Sequence, residues 1–258
     1  MKNSYFIKNR KGKKIAVTAD LVSDQKGLAF VIHGLGGFKQ QPQIQTIAAA
    51  FKDNGYSVVL FDSTNSIGES DGKLEDATVQ GYYEDLEDVI SWSATQPWYQ
   101  EPFCLSGHSL GGYGSFLFAT RNPEKVLAIA PIQPFISGQL SFESTPKNEL
   151  EDWQRTGWQI KESRSRPGLI KKLPWSHMQV RLNHDLLKED LDKLKMPILI
   201  VAGDLDQSTP AEQQRILYDR LPDKKELFVV KGAPHGFFSQ EHLDELYKIL
   251  DHWIKNKL

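Results

Sequence analysis

The sequence predicts an α/β protein: a mostly parallel central sheet with helices on both faces, interrupted by one inserted segment. Three observations carry this. Short β-rich apolar runs alternate with stretches of helical periodicity, polar residues suited to chemistry follow directly after several of those runs, and the alternation breaks once, between about residues 134 and 192. Strands separated by helices pair in parallel, because each crossover returns the chain in the same direction. A parallel sheet then needs both faces covered.

The strand runs are Ile15–Thr18, Leu28–Ile32, Ser57–Phe61, Phe103–Leu105, Val126–Ala130, Ile198–Ala202 and Leu227–Val230. The helical stretches are Gln43–Asn54 (with Pro42 suited to a first turn), Val79–Ala94, Leu110–Arg121, Ala211–Arg220 and Gln240–Lys255. From Pro134 to Asp192 the rhythm stops for longer than a plain connection accounts for. The expected organisation is therefore a core of residues 1–133 and 193–258 with an insertion of residues 134–192.

That insertion holds Trp153, Trp158 and Trp175, three of the chain's six tryptophans. Such aromatics line a substrate pocket or pack the insertion's own small core. Between Arg155 and His184 it also holds seven Lys or Arg residues against one acid, Glu162. The charge either draws in substrates bearing a carboxylate or phosphate, or is solvated surface, or pairs with the acidic helix of Glu84, Asp85, Glu87 and Asp88. Charge runs more often serve as solvated surface.

Composition narrows the function classes. A net charge of −2 over 258 residues gives no basic footprint for nucleic acid. The single cysteine, Cys104, lies within an apolar strand, so it forms no internal disulfide and is expected to be buried. The start, Met1-Lys2-Asn3-Ser4-Tyr5, lacks the apolar core of a signal peptide, and no apolar run reaches bilayer length. A cytoplasmic protein with no membrane span and a small-molecule partner is expected. There is no Cys pair, and the histidines lack metal-site spacing, so neither metal nor cofactor is implied.

The richest segment is Leu105–Tyr113, Leu-Ser-Gly-His-Ser-Leu-Gly-Gly-Tyr. It reads as strand, sharp turn and helix, with Ser109 at the apex between Gly107 and Gly111. Side chains at those glycine positions would collide across so tight a turn. The turn lifts the hydroxyl clear of the sheet and aims the Leu110 N–H, at a helix start, toward a developing oxyanion. A helix N-cap is the plainer use of a serine there, but the flanking glycines favour a nucleophile. Upstream, Leu28–Ile32 runs into His33-Gly34-Leu35-Gly36-Gly37, where the Leu35 N–H is the candidate second oxyanion donor. Downstream, Ile198–Ala202 leads to Gly203-Asp204-Leu205-Asp206, and Leu227–Val230 leads to Ala233-Pro234-His235-Gly236. A serine hydroxyl becomes nucleophilic when an imidazole takes its proton, and a carboxylate must orient that imidazole. His235, after the last strand and among small residues, is the candidate base. His33 is expected to support the oxyanion loop, and His108 to orient the turn or pack beneath it. Position alone leaves both Asp204 and Asp206 open as the acid.

These motifs resemble the α/β-hydrolase fold enzymes over nearly the whole chain from about Gly27: His33-Gly34, the Asp62…Gly68-Glu69-Ser70-Asp71-Gly72 stretch, the turn at Ser109, Gly203-x-x-Asp206-x-x-x-Pro210 and His235-Gly236. Within that superfamily the Gly-Glu-Ser-Asp-Gly-Lys segment is similar to small bacterial carboxylesterases, including cinnamoyl and feruloyl esterases. The resemblance implies a Ser109–His235–Asp206 triad, Asp206 matching the Gly-x-x-Asp spacing, and a cap formed by the insertion. It implies hydrolysis of small to medium acyl or aryl esters through an acyl-enzyme, without a cofactor. Peptide and thioester cleavage by the same triad, and a non-catalytic binding module, are the alternatives. Thr64-Asn65-Ser66-Ile67-Gly68 departs from the family's usual Arg-Gly or Asn-Gly, which bears on the expected shape of the pocket wall.

Overall fold

A computed structural model describes residues Met1–Leu258. The central sheet has eight strands: β1 (Lys2–Lys8), β2 (Lys14–Asp20), β3 (Gly27–Ile32), β4 (Tyr56–Asp62), β5 (Phe103–Gly107), β6 (Val126–Ile129), β9 (Ile198–Gly203) and β10 (Lys225–Val230). Their spatial order is β1-β2-β4-β3-β5-β6-β9-β10. β1 and β2 run antiparallel, and every pairing from β4 to β10 is parallel. All seven strands and all five helices expected from the sequence are present, with boundaries moved by a few residues.

The central parallel strands β3 and β9 are apolar and buried throughout because helices cover both faces. In β3, Leu28, Phe30 and Ile32 point into one core while Ala29 and Val31 point into the other. β9 splits likewise, Ile198 and Ile200 against Leu199 and Val201. Alternate residues face opposite sides of a pleated strand, so a two-sided core demands an unbroken apolar run. Helices α1 (Pro42–Asp53) and α8 (Gln240–Lys257) pack together over one face. Helices α2 (Val79–Ser93) and α3 (Leu110–Arg121) pack together over the other. Cys104 is fully buried in β5, and burial pushes its thiol pKa up.

β1 joins the expected strands as an edge strand in which only Ile7 is buried. The turn after it neutralises α2: Arg10 reaches Glu87 at 3.0 Å and Asp88 at 2.8 Å, and Lys11 reaches Glu84 at 2.5 Å. Asp85 is held by Asn9 and Thr64. The basic insertion therefore does not pair with this acidic helix. Local cations reach it first.

Between β6 and β9 the chain leaves the sheet. It forms α4 (Gly138–Ser144), α5 (Lys147–Thr156), an antiparallel hairpin of β7 (Trp158–Glu162) and β8 (Ile170–Pro174), and α6 (Trp175–Arg181). It then returns through β9 to α7 (Ala211–Arg220) before β10.

Candidate active site

Ser109 sits between β5 and α3 with φ 54° and ψ −114°. A non-glycine residue in this region is strained, and the surrounding structure must hold it there. The cause is visible at its neighbours. A Cβ on Gly107 would lie 2.6 Å from the Gly111 carbonyl carbon, and one on Gly111 would lie 2.3 Å from the Ile32 oxygen. Both glycines are required by this close approach. Although Ser109 occupies the N-cap position, its side chain makes no capping hydrogen bond.

The loop after β3 lies against this turn. A Cβ on Gly34 would meet the Ser109 Cβ at 3.1 Å. Neither the Leu35 nor the Leu110 N–H is taken up by the loop and side-chain hydrogen bonds around the turn, whereas their neighbours Gly37 and Gly111 both donate to backbone carbonyls. His33 fixes the loop from below: its Nδ1–H donates to the Gly34 oxygen at 2.7 Å, and its Nε2 accepts the Ser63 N–H at 3.0 Å. With one ring nitrogen donating and the other accepting, the imidazole is neutral, and burial is the main cause of its lowered pKa. The Tyr82 hydroxyl accepts the Gly36 N–H at 3.2 Å, a support the sequence did not suggest.

The two candidate acids separate cleanly. Asp204 accepts the Gly232 N–H at 2.6 Å and ties two loops together. Asp206 Oδ2 accepts from His235 Nδ1 at 2.7 Å and from the Thr209 hydroxyl at 2.8 Å. Its Oδ1 accepts the Ser208 and Thr209 N–H groups at 2.7 and 3.0 Å. Burial alone would raise this carboxyl, but the bond and charge of His235 and the Thr209 donors hold it at about 2. It is therefore ionised across the neutral pH range.

His108 has a role the sequence did not suggest. Its Nε2–H donates to the main-chain oxygen of His235 at 2.6 Å, and burial, reinforced by the neighbouring His235 charge, pushes its pKa down to about 3. Gln133 adds a second tie, donating to the Pro234 oxygen at 3.2 Å.

Ser109, His235, Asp206, Leu35 and Leu110 all line one cavity of about 830 Å³. Of the three tryptophans, Trp153 reaches it; Trp158 and Trp175 do not. Trp158 points outward from β7 and is 41% exposed, while Trp175 packs edge-on against Trp153 at 5.6 Å. Trp153 itself donates from Nε1 to the Leu173 oxygen at 3.0 Å. The Asp62–Gly72 stretch is not in the cavity wall either. Asp62 instead accepts the Lys39 N–H at 2.6 Å and pairs with Lys39 Nζ at 2.7 Å, buttressing the end of the glycine-rich loop. The departure from the family pattern at Thr64–Gly68 is accommodated behind the site rather than in it.

No group of three or more His, Cys, Asp or Glu side chains is arranged to hold a metal ion, and no helix is long and apolar enough to cross a membrane.

The sheet, the strained serine turn and the loops gathered at the strand ends define an α/β hydrolase. The chain belongs to the serine aminopeptidase S33 (Hydrolase_4) family, which residues 23–167 match. It is 27% identical over 206 residues to the mitochondrial palmitoyl-protein thioesterase ABHD10 of Bos taurus, covering 79% of this chain and 65% of that relative's length. An uncharacterized 31.7 kDa protein of the traX-finO intergenic region of Escherichia coli is 25% identical over 264 residues, covering 90% of this chain and 91% of that one. Among solved structures, ferulic-acid-bound Est1E from Butyrivibrio proteoclasticus superposes with a TM-score of 0.76 at 20% identity, covering 98% of each chain. Mouse α/β hydrolase domain-containing protein 10 gives 0.78 at 20% identity, again over 98% of each. At these identities the superpositions establish the fold.

Proposed function

We propose that the protein is a serine carboxylesterase acting on small to medium acyl or aryl esters, with Ser109 as nucleophile, His235 as general base and Asp206 as its orienting acid. The observation that carries this reading is the Asp206–His235 contact of 2.7 Å, opening into the same cavity as a strained serine. With Nδ1–H committed to the carboxylate, His235 Nε2 is free to take the Ser109 proton. Attack on the ester carbonyl places its oxygen before the Leu35 and Leu110 N–H groups, which stabilise the tetrahedral anion. His235 then protonates the departing alcohol. A water activated by the same imidazole hydrolyses the acyl-enzyme and restores Ser109.

The cavity is lined by polar side chains as well as by Leu35, Leu74, Phe135 and Leu173, which suits short or aromatic acyl groups better than long chains. A thioester substrate is the second reading, favoured by the sequence likeness to a palmitoyl-protein thioesterase.

The test is a matched panel of esters from acetyl to long-chain acyl, with a feruloyl ester and an acyl thioester, run beside Ser109→Ala. Turnover peaking at short or aromatic acyl groups and lost in the variant supports the esterase. Fluorophosphonate labelling of Ser109 without hydrolysis of any ester sinks it and leaves the thioester and amide readings. Labelling that persists in Ser109→Ala removes Ser109 as the nucleophile.

A further inference from the structure

The hairpin β7–β8 puts positive charge into the cavity that Ser109 lines, in a way surface solvation does not require. Its register sets Gln159 opposite Leu173 and Lys161 opposite Lys171. All four line the cavity, while Trp158, Ile160 and Ile170 are exposed and lie outside it. Like charges directly opposite on one face of a ladder repel, so Lys161 and Lys171 are an unfavourable pair unless something neutralises them. Lys161 is neutralised by Glu149 at 2.6 Å. The Lys171 ammonium has neither an ion pair nor a hydrogen bond, though the residue is only partly exposed. Its stem runs past the loop that carries Leu35: a Cβ on Gly36 would meet Lys171 Cδ at 3.1 Å. Burial, then the charges of Lys161 and Arg164, pushes its pKa down.

Arg181 of α6 lines the same cavity. It donates to Ser141 Oγ at 2.9 Å and lies over the Phe135 ring at 5.5 Å, with no carboxylate as partner. Burial pushes its pKa down to about 10. The carboxylates of the cavity are otherwise engaged. Asp206 holds His235, Glu149 holds Lys161, and Glu162 accepts the Gly168 N–H at 2.7 Å. Arg164 also lines the cavity without a carboxylate partner, but it is exposed to water and lies over the Phe238 ring at 5.6 Å, and the other neighbouring cations turn away. Arg166 donates to the Ile67 oxygen at 2.6 Å outside the cavity, and Lys172 is exposed on the hairpin's other side. A cation drawn partly out of water without a counter-ion is destabilising, and a substrate anion entering beside it offsets that cost.

We infer that Lys171 and Arg181 form an anion subsite in the cavity that Ser109 lines, so that the preferred esters carry a carboxylate on their acyl or alcohol part. The inference rests on the esterase reading for the chemistry, but not for the binding.

Two neutral–anionic pairs test it: the methyl and free-acid forms of 4-nitrophenyl glutarate for the acyl part, and phenyl against 4-carboxyphenyl butyrate for the alcohol part. The expected result is a preference in kcat/KM for the anionic member of one pair, weakening as salt rises. The anionic-to-neutral ratio falls about tenfold in Lys171→Met and in Arg181→Met, the loss expected for one charged hydrogen bond. It is retained in Lys171→Arg and in Lys172→Met, which removes the same charge from the outer face. Calorimetry on Ser109→Ala with monomethyl and dimethyl glutarate reads the subsite without any turnover. A wild-type ratio near one for both pairs, or an unchanged ratio in Lys171→Met, overturns the inference. If no ester is hydrolysed, the esterase reading fails alone, and the calorimetric preference decides the subsite.

Discussion

His108 and His235 are joined through the backbone: the Nε2–H of the first donates to the main-chain oxygen of the second at 2.6 Å. The residue beside the serine thus sets the height of the loop that carries the proposed base. This makes His108 a positioning residue. We expect His108→Ala to lower kcat by about tenfold to a hundredfold, the effect of a slightly misplaced reacting group, with KM nearly unchanged. His108→Gln, which keeps a donor on a flat side chain, should recover part of the rate. Equal losses in kcat and thermal stability, without recovery in the glutamine variant, would mean the contact is structural only.

Asp204 and Asp206 are two residues apart and chemically identical, yet only Asp206 reaches His235. Asp206→Asn should cut kcat by about 10⁴, as when a triad histidine is left in the wrong tautomer. Asp204→Asn should stay within a few-fold of wild type, because its amide oxygen can still accept the Gly232 N–H and at most one loop tie is weakened. Steady-state kinetics on any turned-over ester measures both, and the reverse order would reassign the acid.

Tyr82→Phe deletes the acceptor for the Gly36 N–H while keeping the ring against His33, whose centroid lies 5.7 Å away. A buried N–H left without a partner costs about 1–3 kcal/mol. The expected outcome is a lower melting temperature and a kcat reduced about tenfold, since the loop bearing the Leu35 donor loosens. A variant with unchanged kcat would separate the hydroxyl from the oxyanion loop.

Acid sensitivity follows from the buried imidazoles. His108 and His177 are both held at about 3, chiefly by burial, and neither ring nitrogen of His177 has a hydrogen-bond partner. Their unfolded-state values lie near 6.5. Between those limits the unfolded chain binds more protons than the folded one, so stability is full above about pH 6.5 and declines as pH falls toward 3. The slope reaches about 1.4 kcal/mol per pH unit for each histidine. Asp206, held at about 2, adds a further loss between about pH 4 and 2. Urea midpoints measured from pH 7 to pH 4 should flatten in His177→Met, which removes one proton site and two unpaired nitrogens. A wild-type midpoint that does not fall with pH contradicts this.

Much of this architecture can be read from the chain because parallel strands covered on both faces must be apolar throughout, and Leu28–Ile32 or Ile198–Ala202 offer no other use. The turn at Ser109 is equally legible, since Gly107 and Gly111 mark the steric crossing itself. β1 is not, because Lys-Asn-Ser-Tyr-Phe-Ile-Lys buries a single side chain at an edge. The insertion resists reading for a related reason. Its hairpin turns Trp158 and Ile160 outward, and α5 buries only Trp153, so no apolar period marks its elements. The supporting contacts are hidden by distance along the chain. His108 meets the His235 oxygen 127 residues away, and Gln133 meets the Pro234 oxygen 101 residues away. Which of two nearby aspartates bonds the imidazole depends on the path of the loop, which local composition does not encode.

The strand order carries a temporal consequence. β10 lies at the sheet margin and is the last strand in the chain, hydrogen-bonded to β9 alone. During synthesis Ser109 and its turn emerge and can fold long before His235 exists. Under the proposed mechanism a nascent chain thus carries the serine without its base, and acylation waits until the final strand docks. Docking of the final strand, late in synthesis, becomes the on-switch of the proposed mechanism.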